Sequence, residues 1–100
     1  MPLLHVALQE GFSNDAVIIQ VDDREVFNQS GIRTRNQIGL AKYFALNFPD
    51  GTRKITISVP SRQCSKTVTI DIRDPIYLGV SLTNDNRILH EISPGPFGYL

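Results

Sequence analysis

The chain has 100 residues, 41% of them hydrophobic and 20% charged, which is the composition of one small globular domain rather than of a disordered chain. Ten basic and ten acidic side chains cancel, and this balance argues against nucleic acid or an anionic membrane surface as the partner. No apolar run reaches the roughly 18 residues that a membrane-spanning helix needs, so the sequence predicts no such helix.

The cysteine content and the N-terminal residues bear on the compartment. Cys64 is the only cysteine, so the domain has no intrachain disulfide, whereas small secreted domains usually carry paired cysteines. The first residues lack the basic and then apolar pattern of a signal peptide. We therefore expect a cytoplasmic location, with 1–100 forming a single domain.

Alternation of apolar and polar residues is the strongest pattern in the chain, and it begins near the N-terminus. Leu4, Val6 and Leu8 alternate with other residues, which predicts a first strand with one buried face. After a turn cluster, two apolar runs over 16–21 and 24–27 are separated by two aspartates. Because aspartate is a common turn residue, these runs are predicted to form a hairpin.

The stretch 32–46 permits two interpretations. Several of its apolar residues fit a short helix, whereas Phe44, Leu46 and Phe48 alternate as they would in a strand. Gly39 fits poorly inside a helix, and an Asp-Gly turn follows directly. We therefore expect a loop followed by a strand at 42–48.

Alternation continues through the second half of the chain. It predicts strands at 54–59, 67–72 and 87–92. Between the last two it predicts a further strand, in which Leu78 faces inward. Prolines and glycines then prevent any regular element in the tail, 93–100. Short strands separated by turn signals and without a helical period predict an all-β fold, an antiparallel two-sheet sandwich of about seven or eight strands.

Acidic turns are predicted to meet at one end of this sandwich, since successive connections of antiparallel strands alternate between the ends. The residues concerned are Asp22, Asp23, Asp50 and Asp74. Calcium binds such oxygen ligands, but aspartate also favours turns for its own local hydrogen bonds, and an arginine flanks each turn. Turn chemistry is the simpler interpretation, and we predict neither a metal site nor a cofactor.

Basic residues are predicted at the opposite end. They are Arg33, Arg35, Arg62 and Lys66, with two aspartates nearby. Arg33 and Arg35 point the same way if their segment is extended, and two parallel guanidinium groups can clamp a carboxylate or a phosphate. An ordinary solvated loop is the simpler interpretation, but these two arginines are candidate partner-binding residues.

Candidate catalytic residues are few. Cys64, His5 and His90 occur at unrelated spacings, and no nucleophile motif surrounds any of them. His90 shares a strand face with Ile88 and Ile92, which predicts a partly buried structural histidine. The sequence therefore predicts that the protein is not an enzyme.

The C-terminal tail carries large apolar side chains on a segment rich in proline and glycine. Phe97, Tyr99 and Leu100 are expected either to cover an open sheet edge of the same domain or to contact another molecule. We count these three residues among the candidate partner-binding residues.

The chain also resembles a known group of small domains. Its Glu-Gly-Phe at 10–12, Val-Asp-Asp-Arg-Glu-Val at 21–26, Asp-Gly at 50–51 and Pro-Phe-Gly-Tyr-Leu at 96–100 look like those of small uncharacterised bacterial β-sandwich proteins. Their plan is similar to immunoglobulin-like or transthyretin-like sandwiches. The resemblance implies the two-sheet fold and carries over no functional residue.

Two classes of function fit these observations. The first is a non-enzymatic interaction or self-assembly module that recognises a protein partner, or a second copy of itself, through an edge strand or the tail. The alternative is a carbohydrate-binding or calcium-assisted ligand-binding module. Tyr43 and Tyr77 point away from the inward sets of their strands, as aromatic platforms for sugars do.

Overall fold

The protein is an all-β two-sheet sandwich in the computed structural model, which describes residues 3–35 and 39–97. The described residues form β1 (Leu3–Leu8), β2 (Asp15–Val21), β3 (Arg24–Ile32), β4 (Lys42–Asn47), β5 (Gly51–Val59), β6 (Cys64–Ile72), β7 (Ile76–Leu82) and β8 (Ile88–Ser93). A single 3₁₀ turn, Pro60–Arg62, connects β5 to β6. The predicted fold class is confirmed, and within the described residues no helix is long and apolar enough to cross a bilayer.

The strands divide equally between two sheets. One sheet, called here the aromatic sheet for a feature described below, has the order β4-β1-β7-β8, and the polar sheet has the order β3-β2-β5-β6. All pairs are antiparallel except β1 with β7, which run parallel. The expected purely antiparallel sandwich is thus corrected at one pair, because alternation along a strand does not encode which strand becomes its neighbour.

The core lies between the sheets and is built by the alternation seen in the sequence. Every second residue of the central strands faces inward, and large aliphatic side chains there are removed from water. The buried aliphatic residues with no exposed surface are Leu4, Val6, Leu8, Val17, Ile19, Ile55, Ile57, Val59, Ile72, Leu78 and Val80. These include Leu4, Val6 and Leu8, the inward set predicted for β1.

The predicted hairpin at the two aspartates is confirmed. Asp22 and Asp23 connect β2 to β3 with φ angles of 51° and 68°. Two consecutive residues with positive φ form the tight turn whose twist matches that of the flanking strands. Asp22 also accepts a hydrogen bond from the backbone N–H of Lys54 at 2.9 Å, which fixes the turn against β5.

For the described residues of 32–46, the preference for a loop followed by a strand over a helix is also confirmed. β4 begins at Lys42, and the described residues of this stretch contain no helix. Gly39 has a φ of +68°, a left-handed conformation that interrupts a right-handed helix and suits glycine. Its N–H donates to the carbonyl oxygen of Arg35 at 2.8 Å, so the loop closes on itself just before β4.

The sandwich has two sides at which an edge strand of one sheet lies near an edge strand of the other. Side chains fill the gap between the sheets to a different extent on each side. Between β3 and β4, the rings of Phe27 and Phe44 stack with centroids 4.4 Å apart. Between β6 and β8 the closure is looser, since Ile92 is 43% exposed although its strand position faces inward. The expectation of a partly buried His90 is wrong for the same reason. His90 is at an inward position but is exposed, because it lies on the edge strand β8, which the polar sheet does not cover fully.

Candidate binding site

The outer face of the aromatic sheet carries three stacked rings. His5 on β1 lies directly opposite Tyr77 on β7 in the strand register, and their ring centroids are 4.1 Å apart with an interplanar angle of 8°. On the other side, the ring of His5 lies 5.8 Å from that of Tyr43 on β4. Side chains on one face of neighbouring strands are close enough for such contacts, so the pairing of β1 with both strands assembles the row.

Tyr43 is the most accessible member of this row. Its side chain is 48% exposed, and its hydroxyl shares a hydrogen bond with Nδ1 of His5. Desolvation and the neighbouring Tyr77 raise the pKa of Tyr43, so its hydroxyl is neutral at physiological pH. The row is therefore a stack of aromatic rings with the neutral phenol of Tyr43 at its exposed end.

An aromatic cleft lies beside these rings. It has a volume of about 370 Å³ and is lined by Ala7, Leu40, Tyr43, Tyr77, Pro96 and Phe97, which define it. Ala7 is on the outer face, yet it is only 4% exposed. Side chains rather than water therefore cover the centre of this face, which is unusual for the solvent side of a sandwich.

The aromatic cleft brings the C-terminal tail together with the sheet. Phe97 and Pro96 line the cleft opposite residues of β1, β4 and β7, so the tail passes over the outer face of the aromatic sheet. The sequence placed Phe97 among the candidate partner-binding residues, and the structure places it in a cleft. The other two tail candidates, Tyr99 and Leu100, lie outside the described residues.

A cationic cleft of about 350 Å³ lies at the start of the same strand, β4. The end of β3 and the loop that follows form the rest of its lining, and the cleft is defined by Gln29, Ser30, Gly31, Ile32, Arg33, Arg35, Ala41 and Lys42. The structure thus brings Arg33 and Arg35 together, as their alternation predicted, and adds Lys42. No acidic residue is among those that line it.

The other two predicted members of the basic cluster lie elsewhere. Arg62 donates to both carboxylate oxygens of the buried Asp15, at 3.1 and 3.0 Å, and to the carbonyl oxygen of Gly11. Lys66 points inward from β6 and donates to the backbone oxygen of Ile88 at 3.4 Å. Neither Arg62 nor Lys66 lines the cationic cleft, because internal acceptors hold both side chains.

The buried carboxylate of Asp15 has a structural role. Burial on its own would raise the pKa of Asp15, but hydrogen bonds from Arg62, the N–H of Ser13 and the hydroxyl of Ser61 outweigh burial and lower it. Asp15 begins β2, Ser61 and Arg62 belong to the 3₁₀ turn, and Arg62 also contacts the loop after β1. The group joins three segments at one end of the sandwich.

Basic side chains accompany the acidic turns at the other end. Arg53 lies 3.2 Å from Asp22, and Lys54 lies 2.8 Å from Asp23. Within the described residues, no group of three or more histidine, cysteine, aspartate or glutamate side chains is placed to hold a metal ion. These contacts are those of ordinary turns stabilised by exposed ion pairs.

The candidate nucleophile and the two histidines lie on different sheets. Cys64 begins β6 of the polar sheet, whereas His5 and His90 belong to the aromatic sheet. Desolvation raises the pKa of Cys64, and the nearby charge of Arg62 opposes this only in part. A thiol with a raised pKa stays protonated at neutral pH, and the protonated form is a poor nucleophile.

Reasoning from the sequence found only part of the aromatic cleft and its ring stack. It singled out Tyr43, Tyr77 and Phe97, but it did not single out Ala7 or Leu40 and considered His5 only as a catalytic candidate. Their signal was present in part, because His5 and Ala7 alternate with the inward residues of β1. Their proximity to the tyrosines depends on β1 pairing with both β4 and β7, and alternation does not reveal pairing.

Comparison of the chain with models of protein families, with curated proteins and with solved structures found no match.

Proposed function

We propose that the protein is a non-enzymatic interaction module that binds a protein segment in the aromatic cleft. The single observation that carries this proposal is the cleft itself, a concave surface on the outer face of a sheet lined almost only by apolar and aromatic side chains. Aromatic residues are enriched where proteins bind one another, because they bury a large area at little cost in conformational entropy.

The opposite face of the sandwich supports this choice of surface. The outward residues of β5 and β6 in the polar sheet are mostly hydroxyl-bearing, and Thr56 and Thr67 share a hydrogen bond of 3.1 Å across the two strands. An apolar side chain gains nothing on such a surface. Among the described residues, the outer face of the aromatic sheet is therefore more apolar than the outward surface of β5 and β6, and it is the better surface for an apolar partner.

The position of β4 adds a second source of affinity. β4 is at the end of its sheet, so one of its edges has no neighbouring strand in the described part of the chain. Edge strands can accept an added strand through main-chain hydrogen bonds, with adjacent pockets selecting side chains. An extended segment of another protein, or of a second copy of this chain, is the partner that these features fit.

A displayed library of random peptides tests the proposal. We expect selection on the wild-type protein to enrich peptides with apolar or aromatic residues, and these peptides to lose binding to a Tyr43→Ser variant. Leu89→Ser is the matched control, because Leu89 is 53% exposed on an edge strand of the same sheet, compared with 48% for Tyr43. Failure to enrich any peptide, or equal loss in both variants, would contradict the proposal.

Carbohydrate binding is the second candidate function. The exposed ring of Tyr43 offers a surface on which a sugar ring can stack, whereas the rings of His5 and Tyr77 stack face to face and cover each other. The scarcity of polar groups in the cleft makes this the weaker candidate, since sugars also need hydrogen-bond partners. Binding on a glycan array that Tyr43→Ser abolishes would support it, and an array without signal would remove it. Assistance by calcium has less support, because Arg53 and Lys54 already pair with the acidic turn.

The broader identity of the chain is part of the same proposal. Two four-stranded sheets support a plan like that of immunoglobulin-like or transthyretin-like sandwiches, and hence the proposed similarity to small bacterial domains. The single free cysteine supports the expected cytoplasmic location.

A further inference from the structure

The residues of the cationic cleft and those of the aromatic cleft meet in one short segment of the chain. Leu40 and Tyr43 line the aromatic cleft, while Ala41 and Lys42, between them, line the cationic cleft. Because successive residues of a strand face opposite sides, the aromatic cleft is on the outer side of β4 and the cationic cleft is on its side towards β3, with the edge of β4 between them. A single bound segment can therefore reach both.

The charges of the cationic cleft lack partners within the described residues. Arg33, Arg35 and Lys42 form no ion pair there, whereas Arg53, Arg62, Arg73 and Arg87 each pair with an aspartate. The carboxylate of Glu10 is the acidic group near this loop, and it lies against Gly39 rather than in the lining of the cleft. Three cations thus converge on one concave surface in a protein whose total charge is zero.

We propose that the partner is an extended acidic segment of another protein, with its carboxylates in the cationic cleft and an adjacent apolar side chain in the aromatic cleft. This inference rests on the proposed function and specifies the partner of the same surface. Guanidinium groups bind carboxylates through two parallel hydrogen bonds, and unpaired cations attract an acidic segment before contact. The unpaired edge of β4 runs beside both clefts and provides the main-chain contacts.

Fluorescence anisotropy with synthetic peptides tests the inference. The probes are labelled peptides of about eight residues, long enough for one strand, in which phenylalanine alternates with glutamate, with glutamine or with lysine. We expect the glutamate peptide to bind at least about tenfold more tightly than the glutamine peptide at low salt. We expect its affinity to fall when NaCl is raised from about 50 to about 500 mM, and the lysine peptide not to bind.

Two double variants locate the charges. Arg33→Gln combined with Arg35→Gln should weaken binding of the glutamate peptide at least about tenfold. Arg73→Gln combined with Arg87→Gln removes the same net charge from exposed positions elsewhere and should change binding by less than about threefold. All four side chains are on the surface, so thermal melting should show both variants folded.

The outcomes separate this inference from the proposed function. If the glutamine peptide binds as tightly as the glutamate peptide, and Tyr43→Ser abolishes both, the acidic partner is wrong and the aromatic cleft still binds. If both double variants weaken binding equally, the cationic cleft is not the site. If sedimentation shows a dimer of the wild-type chain that Arg33→Gln with Arg35→Gln dissociates, the occupant is a second copy and the inference is overturned. If no peptide binds, both proposals fail.

Discussion

At the scale of single residues, the buried carboxylate of Asp15 and the guanidinium of Arg62 are the most consequential pair. Asp15 is 3% exposed, and among the described residues Arg62 is the one that forms an ion pair with it. Ion pairs at the surface contribute little to stability, but removing one member of a buried pair leaves an uncompensated charge in the interior. The pair holds the loop after β1, the start of β2 and the 3₁₀ turn in one arrangement.

Replacing Arg62 is therefore expected to destabilise the protein more than replacing any exposed arginine. Arg62→Met should lower the free energy of unfolding by about 3 kcal/mol, as expected when a buried pair is broken. Arg87→Met breaks an exposed pair of the same kind and should cost less than about 1 kcal/mol. Urea denaturation followed by circular dichroism measures both, and equal losses would show that burial of Asp15 is not the cause.

The effect of Arg62→Met should also depend on pH. The pKa of Asp15 is lowered in the folded protein, so its carboxylate stabilises the fold above the unfolded value of about 3.9, and this contribution disappears as the pH falls through the folded pKa. In Arg62→Met, the free energy of unfolding falls because the buried carboxylate of Asp15 stays charged without a cationic partner. The difference in stability between wild type and Arg62→Met should therefore be largest near neutral pH and shrink below about pH 4. A constant difference across that range would argue against this role.

A close approach to the backbone of Leu82 requires glycine at position 11. The φ of Gly11 is +89°, and a Cβ added there would lie 1.9 Å from the carbonyl oxygen of Leu82. Gly11→Ala should lower the free energy of unfolding by at least about 2 kcal/mol, since both the backbone conformation and the space oppose a side chain. Gly95→Ala is the control, because a Cβ at that position meets nothing within 4 Å. Thermal denaturation compares the two, and similar midpoints would contradict the contact.

At the scale of elements, the four edge strands are protected from unwanted pairing in different ways. β3 contains two register shifts against β2, which distort its edge. β6 is regular instead, with nine consecutive residue pairs to β5, so it is the flattest edge of the fold. Its protection is Lys66, which points inward and would leave a charge without water if another strand were added.

Removing the charge of Lys66 is expected to allow another strand to pair with the edge of β6. Lys66→Val should leave the domain folded, because valine suits an inward position between strands, but it should cause self-association at high protein concentration. Lys54→Val, on the central strand β5, is the control and should leave the protein in its original state of association. Sedimentation velocity at several concentrations distinguishes them, and an unchanged Lys66→Val profile would show that other features protect β6.

The elements also show what the sequence could and could not predict. Alternation identified the strands and their buried faces, because burial of one face imposes a period of two on each strand separately. Alternation could not predict which strands pair, since pairing depends on contacts between distant segments. The parallel pairing of β1 with β7 is an example. Arg33 and Arg35 were found because they are close in sequence. Lys42 was not, because only the approach of β3 to β4 brings it near them.

At the scale of the whole molecule, the binding features concentrate on one side. The aromatic cleft, the cationic cleft and the unpaired edge of β4 all contact the segment 40–43, whereas the polar sheet presents hydroxyl groups and the far end presents paired charges. The remainder of the sandwich acts as a scaffold that holds this segment, which agrees with the general rule that binding residues lie on segments positioned by a rigid framework.

Titration of the isotope-labelled protein with the phenylalanine–glutamate peptide, followed by amide chemical shifts in NMR spectra, tests this localisation most directly. The largest changes are expected for 40–43, for 29–33 with Arg35, and for the outward residues of β1 and β7 that line the aromatic cleft. Changes centred instead on β6, or on the turn at Asp22 and Asp23, would contradict the assignment of the binding surface to the β4 side of the sandwich.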